Sequence, residues 1–328
     1  MKAIVYTEYG PPDVLQFKEV AKPTPRDNEV LIKIQATTVT SGDWRMRSLD
    51  VPAGFGLISR LIFGVLRPRK PILGTELAGD VEAVGKDVKK FKAGDAVFAF
   101  SGAGMGCHAE YKCMPEDGAV VLKPSKLTYG EAAALSFGGT TALDFFRKGH
   151  LERGEKVLVN GASGGVGTAA VQLARHFGAD VTGVCSTANM DLVRSLGAHH
   201  VIDYTQEDFT ENGEAYDIII DTVGTAPFSR SQGSLKEKGR LLLVLGGLSD
   251  LLQIPWVSMT SSKKVIAGPA AERVEDLRSL AKLAEAGAYK PVIDRRYPFE
   301  QIVEAHRYVD TGRKRGNVVI TVAHHHKT

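Results

Sequence analysis

The chain of 328 residues carries 41 Lys and Arg against 38 Asp and Glu, and 43% of its residues are hydrophobic. This composition is typical of a globular protein of one or two domains and excludes low-complexity disorder. The formal net charge of +3 comes from well-mixed residues, so we expect no nucleic-acid partner. Three scattered cysteines, Cys107, Cys113 and Cys185, indicate a cytoplasmic protein without structural disulfides.

Short β-branched runs alternate with turn residues along the first third of the chain. The runs "AIVYT", "EVLIKIQATTV", "GDVEAVG" and "DAVFAF" are separated by turns such as "GPPD" and "KAGD". This alternation predicts a rolled, barrel-like β domain. The longest apolar stretch, Phe55–Leu66, is interrupted by Arg60 and is too short to span a bilayer, so we expect no membrane partner. We interpret it as a pocket lid or a buried segment, with membrane-surface contact as the alternative.

From about Lys123 the pattern changes to strands separated by helical segments, such as "KVLVN", "VGTAAVQLARHF", "DVTGVC" and "DIIID". Repeated β-α alternation predicts a doubly wound parallel sheet, and hence an α/β protein. The closing run "GNVVITV" resembles the strands of the first third, so we expect the chain to return to the first domain. The predicted ranges are 1–122 for the first part of the β domain, 123–264 for the parallel-sheet domain, and 265–328 for the return.

A glycine-rich turn lies between the strand "KVLVN" and the helical pattern "VGTAAVQLARHFGA". A strand-to-helix turn is the context that dinucleotide binding requires. Gly161 allows the tight turn, Gly164 lets the backbone approach a pyrophosphate, and Gly167 lets the helix pack on the strand. The N–H groups at the helix start would then receive the phosphates. A purely structural tight turn is the alternative.

The end of the next strand favours NADPH over NADH. An Asp or Glu there would bond the ribose hydroxyls of NAD, but the positions are Cys185, Ser186 and Thr187. Asp180 lies at the start of this strand, which is the wrong end. Without a carboxylate there is no repulsion against a 2′-phosphate, and Ser186, Thr187 and Tyr204 could donate hydrogen bonds to it. The sequence supplies no cation at this position, so NADH stays open.

Four ordered stretches together resemble the medium-chain dehydrogenase/reductase superfamily, and within it the zinc-independent quinone oxidoreductase (zeta-crystallin-like) branch. They are "GTELAGDVEAVGKDVKKFKAGDAVFAF", "ALSFGGTTALDFF", "VLVNGASGGVGTAAVQLAR" and "VRSLGAHHVIDYTQEDF". The resemblance covers essentially the whole chain. It implies a GroES-like β-barrel catalytic domain built from both chain ends, a doubly wound Rossmann domain between them, and a homodimer formed through the edge of that domain around "GRLLLVLGG". The alternative for this last strand is an interior one, already paired on both sides.

The resemblance also implies cofactor contacts from a helix opening near Thr140 and Thr141, from two loops after strands, and from Asn317. The alternatives are an ordinary helix N-terminus and ordinary strand exits. The predicted cofactor-binding residues are Thr140, Thr141, Gly161, Ser163, Gly164, Gly165, Val166, Gly167, Ser186, Thr187, Tyr204, Val223, Gly224, Leu245, Gly246, Gly247 and Asn317.

No zinc is expected, because the three positions that hold catalytic zinc in related alcohol dehydrogenases lack thiolate or imidazole groups. Thr40 stands in place of the Cys, Thr75 in place of the His, and Ser136 and Phe137 lie near the third position. Neutral hydroxyls are poor ligands for Zn²⁺. The terminal run His324–His326 is assigned no function.

Loss of the metal favours conjugated acceptors, which spread developing negative charge without a Lewis acid. We therefore predict hydride transfer from NADPH to a quinone or an α,β-unsaturated carbonyl, with Thr40, Asp43 and Trp44 nearest the acceptor. Capping for Asp43 and packing for Trp44 are the alternatives. An enoyl-thioester reductase, a zinc-free alcohol or aldehyde reductase, and a non-catalytic nucleotide-sensing protein also remain open.

Overall fold

The computed structural model describes residues 1–324, so His325 and His326 of the terminal run lie outside the described residues. The strands are β1 Lys2–Val5, β2 Gln16–Glu19, β3 Glu29–Val39, β4 Glu76–Val84, β5 Ala96–Phe100, β6 Tyr111–Pro115, β7 Val120–Leu122, β8 Lys156–Asn160, β9 Asp180–Cys185, β10 His200–Asp203, β11 Tyr216–Asp221, β12 Leu235–Leu243, β13 Lys264–Ala267, β14 Ile293–Pro298 and β15 Asn317–Thr321. The α-helices are α1 Ser41–Ser48, α2 Gly56–Phe63, α3 Tyr129–Ala133, α4 Ser136–Lys148, α5 Gly165–His176, α6 Met190–Ser195, α7 Phe228–Ser231, α8 Leu248–Thr260, α9 Val274–Glu285 and α10 Ile302–Asp310.

The chain forms two compact units, and the predicted α/β class is confirmed. The barrel unit comprises Met1–Val51, Gly56–Phe137 and the chain from Glu272 onward, while the parallel-sheet unit comprises Pro52–Phe55 and Gly138–Ala271. Both main borders lie later than the predicted 122/123 and 264/265. The first moves because α3 packs on β3 and β4. The second moves because the chain after β13 still bonds within the parallel-sheet unit, where the Ala271 N–H donates to Asp144 Oδ2 over 3.1 Å.

The sheet of the barrel unit has the order β14-β15-β3-β4-β5-β7, and β6 also pairs with β3. Its long strand β3 alternates apolar and polar residues from Ile32 to Ala36 and pairs antiparallel with β4, β6 and β15. Because β15 pairs with β3, the end of the chain joins the sheet that its beginning forms. The carbonyl of Ile34 on β3 lies 2.7 Å from Nε2 of His324, which tucks the first residue of the histidine run against this sheet.

The sheet of the second unit has the order β10-β9-β8-β11-β12-β13, with every neighbouring pair parallel. This is the strand order of a dinucleotide-binding Rossmann fold. Its central strands are buried on both faces, so β11 reads as the apolar run Ile218–Ile220 rather than as an alternating pattern. Strand β12 lies between β11 and β13, so the expected dimer edge around "GRLLLVLGG" is wrong: this strand is interior, and its backbone groups are already paired.

Arg47 is the largest fully buried side chain, with 1% of its surface exposed, and it connects three parts of the barrel unit. Its guanidinium donates to the Gly10 carbonyl over 3.1 Å, to Asp310 over 2.6 Å, and lies 3.0 Å from Nδ1 of His306. A buried cation needs such partners, since an uncompensated charge would destabilise the fold strongly. Arg47 therefore fixes α1 against α10.

The three cysteines are unpaired, and Cys107 and Cys185 are buried. Burial raises the pKa of the Cys107 thiol to about 12 and that of Cys185 to about 11, so both are neutral packing residues at ordinary pH.

The apolar stretch Phe55–Leu66 contains α2, and its interpretation as a buried segment is wrong, whereas its interpretation as a pocket lid stays a prediction. Leu57, Ile58, Leu61 and Ile62 are exposed. Within residues 1–324, no helix is both long and apolar enough to cross a membrane.

Candidate functional site

The glycine turn after β8 has the backbone geometry of a phosphate-binding loop. Gly161 has φ of 81°, a conformation that favours glycine, and a Cβ at this position would lie 2.5 Å from Val223 Cγ1. A Cβ on Gly167 would lie 2.0 Å from the carbonyl oxygen of Gly161. Gly164 is different, because its nearest neighbour to an added Cβ is 3.5 Å away. Of these three glycines, Gly164 is the one that could carry a Cβ without a clash, because the added atom would make only an ordinary van der Waals contact.

Helix α5 begins directly after this turn, with Gly164 as its N-cap residue. The first N–H groups of a helix, here those of Gly165, Val166 and Gly167, have no partner within the helix and carry a partial positive charge. Phosphate oxygens are the usual ligands of such a terminus. The turn and α5 therefore fit the pyrophosphate of a dinucleotide.

Asn189 links this turn to the end of β9, and the sequence reasoning missed it. Its Nδ2 donates to the hydroxyls of Ser163 and Ser186, each over 3.2 Å. Its Oδ1 is buried without a hydrogen-bond partner among residues 1–324. The one available signal was an amide side chain four residues after the strand end, in the loop where the motif expects contacts to ribose.

A carboxylate does lie beside the predicted 2′-phosphate site, contrary to the expectation from β9 alone. Register pairs Cys185 at the end of β9 with Asp203 at the end of β10. The Thr187 hydroxyl donates to Asp203, as do the N–H and the hydroxyl of Thr205 over 3.0 and 2.8 Å. These hydrogen bonds, above all the one from Thr187, lower the pKa of Asp203. Asp203 is therefore ionised, and Thr187 is engaged with it, whereas the nearby Tyr204 is exposed.

Two polar side chains shape the loops at the carboxyl edge of the central strands. Asn160 ends β8 and pairs in register with Asp221, which ends β11. The Asn160 amide donates to Asp221 over 3.0 Å and to Thr225 over 2.9 Å. Asp221 also accepts from the N–H groups of Val223 and Gly224, over 3.1 and 3.0 Å. These hydrogen bonds fix the conformation of the predicted contact loop, and its residues Val223 and Gly224 are exposed.

The remaining predicted cofactor contacts of this unit are placed as follows. Helix α4 begins at Ser136, so the helix opens about one turn before Thr140 and Thr141, and the cofactor contact of these two residues stays a prediction. Both threonines are buried. The loop Leu245–Gly247 leads into α8, where the Gly247 N–H donates to Asp250 over 2.8 Å. Gly246 and Gly247 therefore form the entrance to a helix at the same carboxyl edge of the sheet.

In the barrel unit, Thr40 and Asp43 form a capping box at the start of α1. The Thr40 hydroxyl accepts from the Asp43 N–H over 3.1 Å and donates to Oδ2 of Asp43 over 2.7 Å. Asp43 Oδ1 accepts from the Gly74 N–H over 2.9 Å. The capping alternative for Asp43 is confirmed, so its carboxylate holds the turn in place. Any catalytic role stays a prediction.

Trp44 packs against the core of the barrel unit, with the Arg45 guanidinium 4.9 Å from its ring. Asn317 is buried at the start of β15, where its Nδ2 donates to the Val292 carbonyl over 3.0 Å. The Oδ1 atom of Asn317 is a hydrogen-bond acceptor, which is the kind of group that an amide donor requires.

Glu76 is fully buried next to Thr75. Its carboxyl group accepts from the Thr38 hydroxyl and from the Phe137 N–H, each over 2.5 Å. Burial raises the pKa of Glu76 to about 8, although these two hydrogen bonds oppose the shift. The nearby Lys314 has its pKa lowered to about 8, also by burial. At neutral pH this carboxyl is therefore largely protonated.

The residues at the three zinc positions do not fit a zinc ion. Thr40 is occupied by its capping box, the Thr75 hydroxyl is buried, and Ser136 is buried at the start of α4. Hydroxyl groups lack the soft donor atoms that Zn²⁺ prefers. Across residues 1–324 there is no group of three or more His, Cys, Asp or Glu placed to hold a metal ion.

Comparisons with known proteins place the chain in a family. The alcohol dehydrogenase GroES-like domain family matches residues 26–125, and the zinc-binding dehydrogenase family matches residues 196–320. The chain is 35% identical to the 2-methylene-furan-3-one reductase of Solanum lycopersicum, covering 98% of this chain and 79% of that one. It is 30% identical to the NADPH-dependent alkenal/one oxidoreductase (chloroplastic) of Arabidopsis thaliana, with the same two coverages, 98% and 79%.

Among solved structures, the quinone oxidoreductase from Coxiella burnetii matches with a TM-score of 0.87 at 30% identity, covering 98% of this chain and 99% of that one. The chain therefore belongs to the medium-chain dehydrogenase/reductase superfamily, a class of nicotinamide-dependent oxidoreductases. Within that class it belongs to the quinone oxidoreductase branch, and it is an enzyme. The resemblance drawn from the four sequence stretches is confirmed.

The glycine turn yields a test that separates folding from ligand binding. Gly164→Ala adds a methyl group without a clash at an N-cap position where alanine is less favourable than glycine, so the free energy of unfolding should fall by about 1 kcal/mol or less. If the turn holds the pyrophosphate, the added methyl group would meet it, and the dissociation constant for the nicotinamide cofactor should rise at least about ten-fold. Gly167→Ala, the matched control, should instead lower the free energy of unfolding by about 2 kcal/mol or more, because its methyl group meets the Gly161 carbonyl. Urea unfolding and nicotinamide fluorescence titration measure the two quantities. Unchanged NADPH binding in Gly164→Ala would refute this placement of the pyrophosphate.

The raised pKa of Glu76 predicts a specific pH dependence of stability. The folded pKa of about 8 exceeds the unfolded value of about 4.3, so the folded state binds more protons between them. The stability that protonated Glu76 contributes is complete below the unfolded pKa and is lost as pH rises through the folded pKa. The free energy of unfolding of the unmodified protein, minus that of Glu76→Gln, should therefore fall between about pH 5 and 8, by at most about 1.4 kcal/mol per pH unit. Urea unfolding across this range gives the slope. A flat difference would mean that Glu76 is already ionised in the folded protein at pH 5.

Proposed function

We propose that the protein is a zinc-independent, NADPH-dependent oxidoreductase that reduces quinones or α,β-unsaturated carbonyl compounds by hydride transfer. The observation that carries the proposal is the glycine turn from Gly161 to Gly167, which leaves an open cradle at the start of α5. The acceptor class is supported by relatives whose names specify quinones, alkenals and enones, and one of those names also specifies NADPH.

The Rossmann unit would hold the dinucleotide along the carboxyl edge of its sheet. The start of α5 binds the pyrophosphate, while Ser163, Ser186 and Asn189 line the adenosine side. The loops at Val223–Gly224 and Leu245–Gly247, braced by Asp221 and Asp250, present backbone groups at the same edge. Thr140 and Thr141 belong to the same line of predicted contacts. This arrangement orients the cofactor by contacts from several separate loops.

A bound nicotinamide supplies a hydride from its C4 atom to the conjugated acceptor. An enone takes the hydride at its β-carbon and a quinone takes it into the ring system; a proton from water completes each reduction. The chain contributes positioning rather than a strong acid, because Asp43 is committed to Thr40 and Gly74. Thr40 and Trp44 are the side chains of the barrel unit that we place nearest the acceptor, and Asn317 the one nearest the nicotinamide.

The preference for NADPH rests on Ser186, Tyr204 and the absence of a carboxylate at the carboxyl end of β9, and Asp203 opposes it. Asp203 is surrounded by three donors from Thr187 and Thr205, which offset part of its charge. A 2′-phosphate would still be repelled by the remaining charge. We therefore infer a modest preference for NADPH.

Two further expectations belong to this proposal. A homodimer would form through an open edge of the parallel sheet, at β10 or β13, since β12 is paired on both sides. The cytoplasm is the proposed location.

The proposed reaction is tested on metal-stripped protein. Nicotinamide fluorescence should show binding of NADPH, and addition of phenanthrenequinone or a simple enone should then oxidise it, seen as loss of nicotinamide absorbance. An enoyl-thioester serves as the contrasting acceptor and should react at least about ten-fold more slowly, because no group of the site is assigned to a thioester. Faster turnover of the thioester would make the enzyme an enoyl-thioester reductase. Activity that returns only with zinc would refute zinc independence.

Asp203→Asn tests the cofactor preference. Removal of the charge beside the predicted phosphate site should raise kcat/KM for NADPH relative to NADH by about ten-fold, which corresponds to about 1.4 kcal/mol. Asp180→Asn is the matched control, because Asp180 lies at the amino end of β9, away from the site, and the ratio should not change. A fall in the ratio in Asp203→Asn would mean that Asp203 does not repel the cofactor phosphate.

A further inference from the structure

Helix α2 exposes an apolar face that no part of the proposed reaction uses. At about 100° per residue, one side of α2 carries Leu57, Ile58, Leu61 and Ile62, and the other carries Ser59 and Phe63. The first four side chains are exposed, Leu57 to 72%, and Leu66 just after the helix is 88% exposed. Contiguous exposed aliphatic side chains of this kind mark an interaction surface.

The opposite side of α2 fixes the helix to the barrel unit. Phe63 packs against the core cluster of that unit, and Ser59 is buried. The Tyr9 hydroxyl donates to the Gly64 carbonyl over 3.0 Å, and the Arg69 N–H donates to the Phe63 carbonyl over 2.8 Å. The apolar face is therefore presented outward by a helix held from behind.

Exposed cations lie within and directly after α2, and acidic residues are missing from this stretch of sequence. Arg60, Arg67, Arg69 and Lys70 are exposed, and the sequence contains no Asp or Glu between Asp50 and Glu76. Arg60 donates to the Val65 carbonyl over 3.1 Å and Lys70 to the Ala103 carbonyl over 2.8 Å. Neutral carbonyls leave these charges uncompensated, and within residues 1–324 none of the four cations forms an ion pair with a carboxylate.

This combination selects among the surfaces that could cover the face. A second copy meeting the same patch across a two-fold axis would bring like charges together. The residues enriched at protein interfaces are aromatic residues, Met and Arg, and of these only Arg accompanies the Leu, Ile and Val side chains of this face. Aliphatic side chains accompanied by cations match an anionic lipid bilayer. The aliphatic side chains would enter the boundary of the acyl region, and the cations would contact the headgroups.

We propose that residues 56–70, termed the α2 surface, dock the protein peripherally on an anionic phospholipid bilayer. The proposal develops the alternative interpretation of the apolar stretch as a membrane-surface contact, and it departs from the expectation of no membrane partner. The proposal does not depend on the acceptor or on the cofactor. Each Lys or Arg near an anionic surface contributes about five-fold to binding, so lipid charge should matter strongly.

Sedimentation with lipid vesicles tests the proposal on the full-length protein. Vesicles of phosphatidylcholine with about one quarter phosphatidylglycerol should bind the protein at least about ten-fold better than vesicles of phosphatidylcholine alone. Leu57→Glu should lower the partition coefficient at least about ten-fold, because a charged group replaces a membrane-inserted leucine. Leu252→Glu on α8 is the matched control, since Leu252 is equally exposed, at 72%, and it should change binding less than about two-fold. Thermal melting shows whether each variant is folded.

Several outcomes would overturn the proposal. They are no vesicle binding by the unmodified protein, equal binding to neutral and anionic vesicles, or an equal loss in Leu252→Glu. A dimer that Leu57→Glu dissociates, without vesicle binding, would make the face a contact between copies. A raised KM for a water-soluble quinone in Leu57→Glu, with no effect on vesicles, would make α2 a substrate lid.

Discussion

The close approach of helix α5 to the chain leaving β8 is the constraint on which the Rossmann unit depends. One methyl group on Gly167 would come within 2.0 Å of the Gly161 carbonyl oxygen. Because α5 lies so close to the turn after β8, its first N–H groups lie at the carboxyl edge of the sheet, where β9, β10 and β11 also end. The loops after these strands therefore reach one place. Without that approach, the turn would be an ordinary strand exit with no charge to offer a phosphate.

Buried carboxyl groups in this protein mostly organise backbone. Asp43 accepts from the N–H groups of Thr40 and Gly74, and Asp221 accepts from those of Val223, Gly224 and Ala226. Glu76 binds the Phe137 N–H where α4 begins. A carboxyl group committed to two or three donors is a poor proton shuttle, because a proton transfer would break those hydrogen bonds. This agrees with a reaction in which positioning of a cofactor and a conjugated acceptor does most of the work.

Charged residues at two separate places have two different proposed effects, one on cofactor choice and one on the location of the protein. Asp203 lies beside a predicted phosphate position in the Rossmann unit, where its charge would influence the proposed choice between NADPH and NADH. The α2 surface collects four cations without an acidic residue near them in sequence, and its effect would be on where the protein resides. Neither follows from the net charge of the chain, which is close to neutral for its length.

The sequence by itself determined the fold class, the strand-to-helix setting of the glycine turn and the superfamily, because each rests on local periodicity or on residues close together in the chain. Tertiary structure decided the rest. Asp203 contacts Thr187, although it lies sixteen positions further along the chain. Strand β12 pairs with a strand on each side, and α4 begins one turn before Thr140. Asn189 and Asp221 became visible as organising residues only through their partners. Tertiary structure also placed the apolar residues of α2 on the surface. The sequence pattern of a short apolar helix is the same whether those residues contact a core or solvent. Pairing between distant strands and the direction of a face are set by packing, which no local pattern encodes.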